Sequence, residues 1–177
     1  PSRRNPLTMG ILESMRTFLL ECRDMPVEKS APVRCVVIES MGPVWSSGHD
    51  FLDFHAKGRK EQEIVLRLCA EVNMLLEQVP QVTLAAVKGR CFAGGVQLAA
   101  SCDLVYAHAD TATFCLPGAR EGNGYCHTPA VAVARRVSSS RKAFELAALA
   151  PEIGAAEAER IGLVNRSVPA EEWRATV

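Results

Sequence analysis

Residues 85–118, "AAVKGRCFAGGVQLAASCDLVYAHADTATFCLPG", hold the pattern from which the fold is read. With the three residues before them they open on "VTLAAVKG" (82–89), an apolar run of strand length with β-branched residues at 82, 83 and 87. Two glycines then open "GGVQLAASC" (94–102), short and almost wholly apolar, which predicts a buried helix. "DLVYAHA" (103–109) returns to strand character. Strand, helix and strand at this spacing predict a right-handed crossover and parallel pairing.

The flanking sequence extends the same alternation. "VRCVVIES" (33–40) predicts another buried strand, with "GPVWSSGHD" (42–50) as the glycine-punctuated turn behind it. Upstream, residues 9–25 place Ile11, Leu12, Met15, Phe18, Leu19 and Cys22 at helical spacing, with Thr8 as N-cap. Residues 51–62, "FLDFHAKGRKEQ", are polar and uneven and read as a loop. Ile64, Leu68, Val72, Leu75 and Val79 then form the stripe of a long amphipathic helix that Pro80 ends. The last third is mostly helical, with Ser139 or Ser140 as a cap and Gly162 as a terminator. The expectation is one α/β domain over residues 1–177, without repeats or a linker.

Composition excludes several classes of function. The chain has 177 residues, 48% of them hydrophobic, and 20 basic residues interspersed with 20 acidic ones for zero net charge. Such a surface predicts no nucleic-acid partner and no polybasic membrane arm. No apolar run reaches the roughly 18 residues of a membrane span. The start, "PSRRNPL", has no apolar signal core. Seven cysteines, at 22, 35, 69, 91, 102, 115 and 126, include no CxxC pair. Most sit in apolar runs, so they read as buried, reduced thiols rather than a disulfide framework or zinc site.

The chemistry is expected at the two glycine turns, "SSGHD" and "FAGGVQ". If the strands before them are neighbours, both turns open at one sheet edge and their N–H groups can converge on a single oxygen. An oxyanion hole has this form, and the second turn adds the positive end of a helix. A glycine turn after a strand also has a purely structural reading, and that alternative stays open at this point. "GRCFAGG" lacks the lysine and hydroxyl of a phosphate loop. His49, Asp50, Asp53 and His55 could gather a metal, but a loop of this composition is ordinarily solvated, and no metal site is expected.

Three segments in order, "GPVWSSGHDF", "AAVKGRCFAGGVQLAASCDLVYAHADTATFCLPG" and "AERIGLVNRSV", resemble the crotonase, or enoyl-CoA hydratase/isomerase, superfamily. The similarity runs from Arg4 to Val168. It implies an α/β fold, a crotonase-type spiral of ββα units with a mostly helical C-terminal part, here without the family's first strand and last C-terminal helices. It implies an acyl-CoA thioester as the ligand and no separate cofactor, coenzyme A being part of the substrate. Assembly as a homotrimer or a dimer of trimers is implied too. The subgroup with "SSGHD", "GVQLAASCD" and "LPG" implies a mitochondrial location.

Carried over by motif, the two carbonyl-binding amides fall on His49 and Gly94, and the reaction they support passes through a thioester enolate. The two glutamates with which the family's hydratases handle water fall on Gln97 and Gly118. An amide and a glycine transfer no protons, and general acid–base help is worth roughly 10²–10⁴-fold. Glu121, Cys126 and His127, in "REGNGYCHTP", are the candidate replacements. Arg3 and Arg4 fall where relatives pass the CoA phosphates. Asp50, Phe51, Gln97 and Gly118 are expected at the substrate. The implied function is that of an acyl-CoA enzyme favouring isomerisation or other enolate chemistry over efficient hydration. The alternative is a non-catalytic acyl-CoA-binding or regulatory subunit.

Overall fold

The computed structural model describes residues 4–25, 33–50, 58–122 and 127–177, with the backbone alone at 127–129. Its elements are α1 (Met9–Arg23), β1 (Cys35–Ile38), β2 (Val44–Ser46), α2 (Arg59–Gln78), β3 (Val82–Val87), β4 (Arg90–Phe92) and α3 (Gly94–Ser101). There follow β5 (Leu104–His108), β6 (Thr113–Cys115), α4 (His127–Ala134), α5 (Ser140–Leu149), β7 (Ile153–Gly154), α6 (Ala155–Arg160), β8 (Arg166–Val168) and α7 (Trp173–Thr176). The strands form two four-stranded sheets, ordered β1-β3-β5-β8 and β2-β4-β6-β7. All pairings are parallel except β6 with β7. The chain thus places one strand in the first sheet, the next in the second, and then turns into a helix. This is the expected succession of ββα units.

Three strands of the first sheet were predicted; its fourth, β8, lies in the part read as mostly helical, and the second sheet was not foreseen. β1, β3 and β5 lie within the expected strands, whereas β2, β4 and β6 have three residues each and fall where no strand was expected. The glycine turns therefore follow strands of the second sheet, not the long buried strands themselves. Tight glycines make the step between sheets possible. Gly89, between β3 and β4, has φ +85°, and a Cβ there would lie 2.2 Å from the Pro43 carbonyl oxygen. Gly42 makes the same step between β1 and β2 with φ +97°.

Two helix faces match the expected ones in part. Of the stripe expected for α2, Val72, Leu75 and Val79 are buried, joined by Val65, Cys69 and Leu76, while Ile64 is 53% exposed. In α1, Leu12, Leu19 and Cys22 are buried, but Ile11 and Phe18 are 42% and 46% exposed. The two helices cover each other along a narrow strip, so apolar residues one position to the side face outward. The expected loop 51–62 also differs at its end: α2 begins at Arg59, so "RKEQ" is helical, and 51–57 lie outside the described residues. Thr8 caps α1 through a 3.3 Å bond from the Ile11 N–H, and Ser139 caps α5 through a 3.1 Å bond from the Lys142 N–H.

α3 is the central element: all eight of its residues are buried. Arg136 closes its C-terminal end, donating to the carbonyls of Ala100 (2.8 Å) and Cys102 (3.3 Å), where the helix dipole favours a cation. Asp103 then staples β5 to β3. Its carboxylate accepts from the Thr83 amide (2.8 Å) and hydroxyl (2.9 Å), and its own amide donates to that hydroxyl (2.8 Å). Of the six described cysteines, none of them in a disulfide, only Cys35 is exposed. Burial pushes the Cys102 thiol up to about 12, so it stays protonated and inert.

Gly89→Ala is expected to destabilise the fold by at least about 1–3 kcal/mol, because the residue must hold a left-handed φ and its methyl meets a main-chain oxygen. Chemical denaturation would check this; a midpoint equal to wild type would show that the Pro43 turn can yield.

Candidate active site

The parallel register of the second sheet brings three chain segments to one edge. Ser46 pairs with Cys91, and Phe92 with Cys115, so β2, β4 and β6 end together. The residues that follow, 47–49, 93–94 and 116–121, therefore leave from the same side. In parallel sheets this carboxyl edge is where ligands bind.

The first turn is built around Gly48, at φ +86°. A Cβ there would lie 2.8 Å from the Ala93 Cβ, 3.0 Å from the Gly94 nitrogen and 3.1 Å from the Phe92 oxygen, so the two turns are in direct contact. Ser46 Oγ accepts the Gly48 N–H at 3.2 Å, and the Gly48 carbonyl accepts the Leu7 N–H at 2.8 Å. Because the Gly48–His49 peptide is trans, the His49 N–H points away from Leu7.

The second turn is held in a backbone conformation that side chains rarely adopt. Ala93 has φ +49° and ψ −119°. Its N–H donates to the Cys115 carbonyl at 2.9 Å, and its own carbonyl accepts from Val96 (3.0 Å) and Gln97 (3.3 Å). The Gly94 N–H sits on the opposite side of that same peptide unit. It thus leaves α3 at its positive end, where the first amides have no helical partner. Gly95 lets α3 approach β2, since a Cβ there would lie 2.8 Å from the Ser46 Cβ. Strain of this kind is typical of ligand-facing turns.

The His49 imidazole lies against the second turn. Its Cε1 and Nδ1 are 3.0 and 3.1 Å from where a Cβ on Gly94 would lie, beside a Leu7 methyl at 3.3 Å. Burial lowers its pKa from the ordinary 6.5, so the ring is neutral at pH 7. Gln97, in the first turns of α3, is 5% exposed. A void of about 10 Å³ between Val96, Phe114, Leu116, Val133 and Leu146 is no larger than one water.

The other expected residues lie on the segments around these turns or outside the described residues. Gly118 is half-buried and Glu121 exposed, in a turn closed by the Glu121 N–H on the Pro117 carbonyl at 3.0 Å. Arg4 is exposed, and its carbonyl accepts the Ser47 N–H at 3.0 Å, beside the first turn. Asp50 is half-buried. His127 begins α4, but its side chain, like Arg3, Phe51, Asp53, His55 and Cys126, lies outside what is described. Sequence reasoning missed Ser46, Ala93 and Asn5. Among these only Asn5, ahead of a proline, carried a turn signal.

The sequence model of the family described as enoyl-CoA hydratase/isomerase matches residues 1–176. The chain belongs to this family. It is 39% identical to enoyl-CoA hydratase domain-containing protein 3, mitochondrial, of Mus musculus, over 99% of this chain and 56% of that protein. The Homo sapiens protein of the same name is 35% identical, over 97% of this chain and 54% of the relative. The chain thus spans about half the length of the curated relatives it matches. A crystal structure of the human protein superposes with a TM-score of 0.89 and 33% identity, covering 99% of this chain and 67% of that one. An enoyl-CoA hydratase/isomerase family protein from Silicibacter pomeroyi gives 0.88 and 31%, covering 99% and 71%. The crotonase fold and the likeness to the domain-containing protein 3 subgroup are therefore established for this family member.

The half-buried His49 makes stability depend on pH. Its folded pKa lies below the unfolded value of 6.5, so its contribution is present above that value and is lost as pH falls toward the folded pKa. Denaturation midpoints measured from about pH 7.5 down to 5 should fall more steeply for wild type than for His49→Gln. Parallel curves would mean that the ring is solvated in the folded protein.

Proposed function

We propose that this chain binds an acyl-CoA thioester, receives the thioester oxygen on the N–H groups of His49 and Gly94, and stabilises the enolate formed there. The observation that carries this is the contact of the two turns, with the position of a Gly48 Cβ only 3.0 Å from the Gly94 nitrogen. Two preorganised main-chain donors then face one oxygen as it gains charge. Each is worth roughly 2.7–4 kcal/mol of barrier. A side chain at 49 leaves a main-chain donor intact, so histidine is compatible with this role.

Gln97 and Gly118 argue against efficient hydration, since neither can move a proton for an adding water. An isomerisation that passes through the enolate needs only one base. That base takes the proton from the carbon next to the carbonyl, the electron pair moves onto the thioester oxygen, and the proton returns two carbons further along, shifting the double bond. Glu121 and His127 are the candidates for the base. Arg3 and Arg4, with Asp50 and Phe51, are assigned to the rest of the substrate. Assembly as a homotrimer, a mitochondrial location and a place in fatty-acid or acyl-CoA metabolism belong to the same proposal. The last two draw support from the names of the relatives. The second reading is a non-catalytic acyl-CoA-binding or regulatory subunit, favoured by the burial of Gln97, an amide, at 5% exposure.

Calorimetry on the full-length protein with crotonyl-CoA and longer enoyl-CoAs, followed by absorbance for hydration in the same samples, tests both. Binding without hydration at enzymatic rates is expected, and Gln97→Glu with Gly118→Glu should raise hydration at least about tenfold. Absence of binding would overturn the proposal. Rapid hydration by the wild type would overturn the argument from Gln97 and Gly118.

A further inference from the structure

The turn that carries the first carbonyl-binding amide has little holding it from its own sheet, since β2 is three residues long and its register with β4 shifts between Val44 and Ser46. What ties it down comes from the segment before α1. Asn5 is half-buried, in the left-handed region at φ +44°, and its Nδ2 donates to two carbonyls nearly forty residues away: Met41 at 2.8 Å and Val44 at 2.7 Å. Those carbonyls stand at either end of the turn between β1 and β2. On both sides of Asn5 the main chain pairs with the next residues along: the Arg4 carbonyl accepts from Ser47 (3.0 Å), and the Leu7 N–H donates to Gly48 (2.8 Å). A parallel bridge joins Leu7 to His49.

We infer that Asn5 is a positioning residue for the carbonyl-binding site: its side-chain amide clasps residues 41–44, so that the segment 4–7 fixes the direction of the His49 N–H. The inference rests on the carbonyl-binding role proposed above. The chemistry needs this residue type. A primary amide supplies two N–H groups from one nitrogen, and asparagine tolerates the left-handed backbone that most side chains avoid. Aspartate would keep the shape and the backbone but face two carbonyl oxygens with a third acceptor. Glycine would keep the backbone and remove the clasp.

Asn5→Gly and Asn5→Asp therefore separate the side chain from the backbone, and the full-length protein is read in two ways. Amide hydrogen exchange at Leu7, Ser47 and Gly48 is expected to accelerate at least about tenfold in both variants, with the amides of α3 unchanged. The preference for an acyl-CoA thioester over free coenzyme A, by calorimetry, should fall about tenfold, while affinity for free coenzyme A stays the same. Unchanged exchange in either variant that folds overturns the clasp. A wild-type preference that both variants retain overturns the positioning role alone. A wild type that does not distinguish thioester from coenzyme A overturns the carbonyl-binding role and the positioning role with it, while faster exchange would still assign the clasp to Asn5.

Discussion

The constraint on which the candidate site depends is the contact between Gly48 and the start of α3. No Cβ can stand at residue 48 without meeting the Ala93 Cβ at 2.8 Å, so nothing intervenes between the ends of β2 and β4. Much of the surrounding structure serves that contact. Gly95 lets α3 lie on Ser46, Arg136 anchors the far end of the helix, and the Cys115 carbonyl holds the Ala93 amide. The three adjoining strands of the second sheet contribute few ladder bonds. Their work is to aim the segments that follow them.

The parts legible in the sequence were those with a long local signal. α3 is wholly buried and β3 and β5 largely so, and their apolar runs read correctly. The second sheet left no such trace, because a three-residue strand has no period to detect and Arg90–Phe92 looks like part of a turn. The face of α2 was read correctly at Val72, Leu75 and Val79 and missed at Ile64. "EIVLRLCAEV" offers apolar residues at adjacent positions, and only the packing of α1 decides that Val65 goes in and Ile64 stays out.

The candidate site shows the same division. Glycines marked both turns, and the motif assigned the two amides to residues that the fold does bring to one edge. The strained backbone sits on Ala93 rather than on a glycine, which propensity argues against. The neutrality of His49 comes from burial, and the role of Asn5 from carbonyls distant in sequence; neither has a local pattern. Backbone donors need only the right turns, so they persist through changes of side chain. Proton transfer needs particular side chains, and neither Gln97 nor Gly118 can supply it. Under the proposed function, polarisation of a carbonyl is retained independently of the hydratase chemistry.

Nuclear magnetic resonance of the two amides tests this most directly. The ¹H and ¹⁵N shifts of His49 and Gly94 would be followed during titration with an acyl-CoA thioester, and with the thioether that lacks the carbonyl. Convergence on one oxygen predicts that both amide protons move downfield with the thioester and stay in place with the thioether. Equal responses to the two ligands, or movement of neither amide, would contradict it.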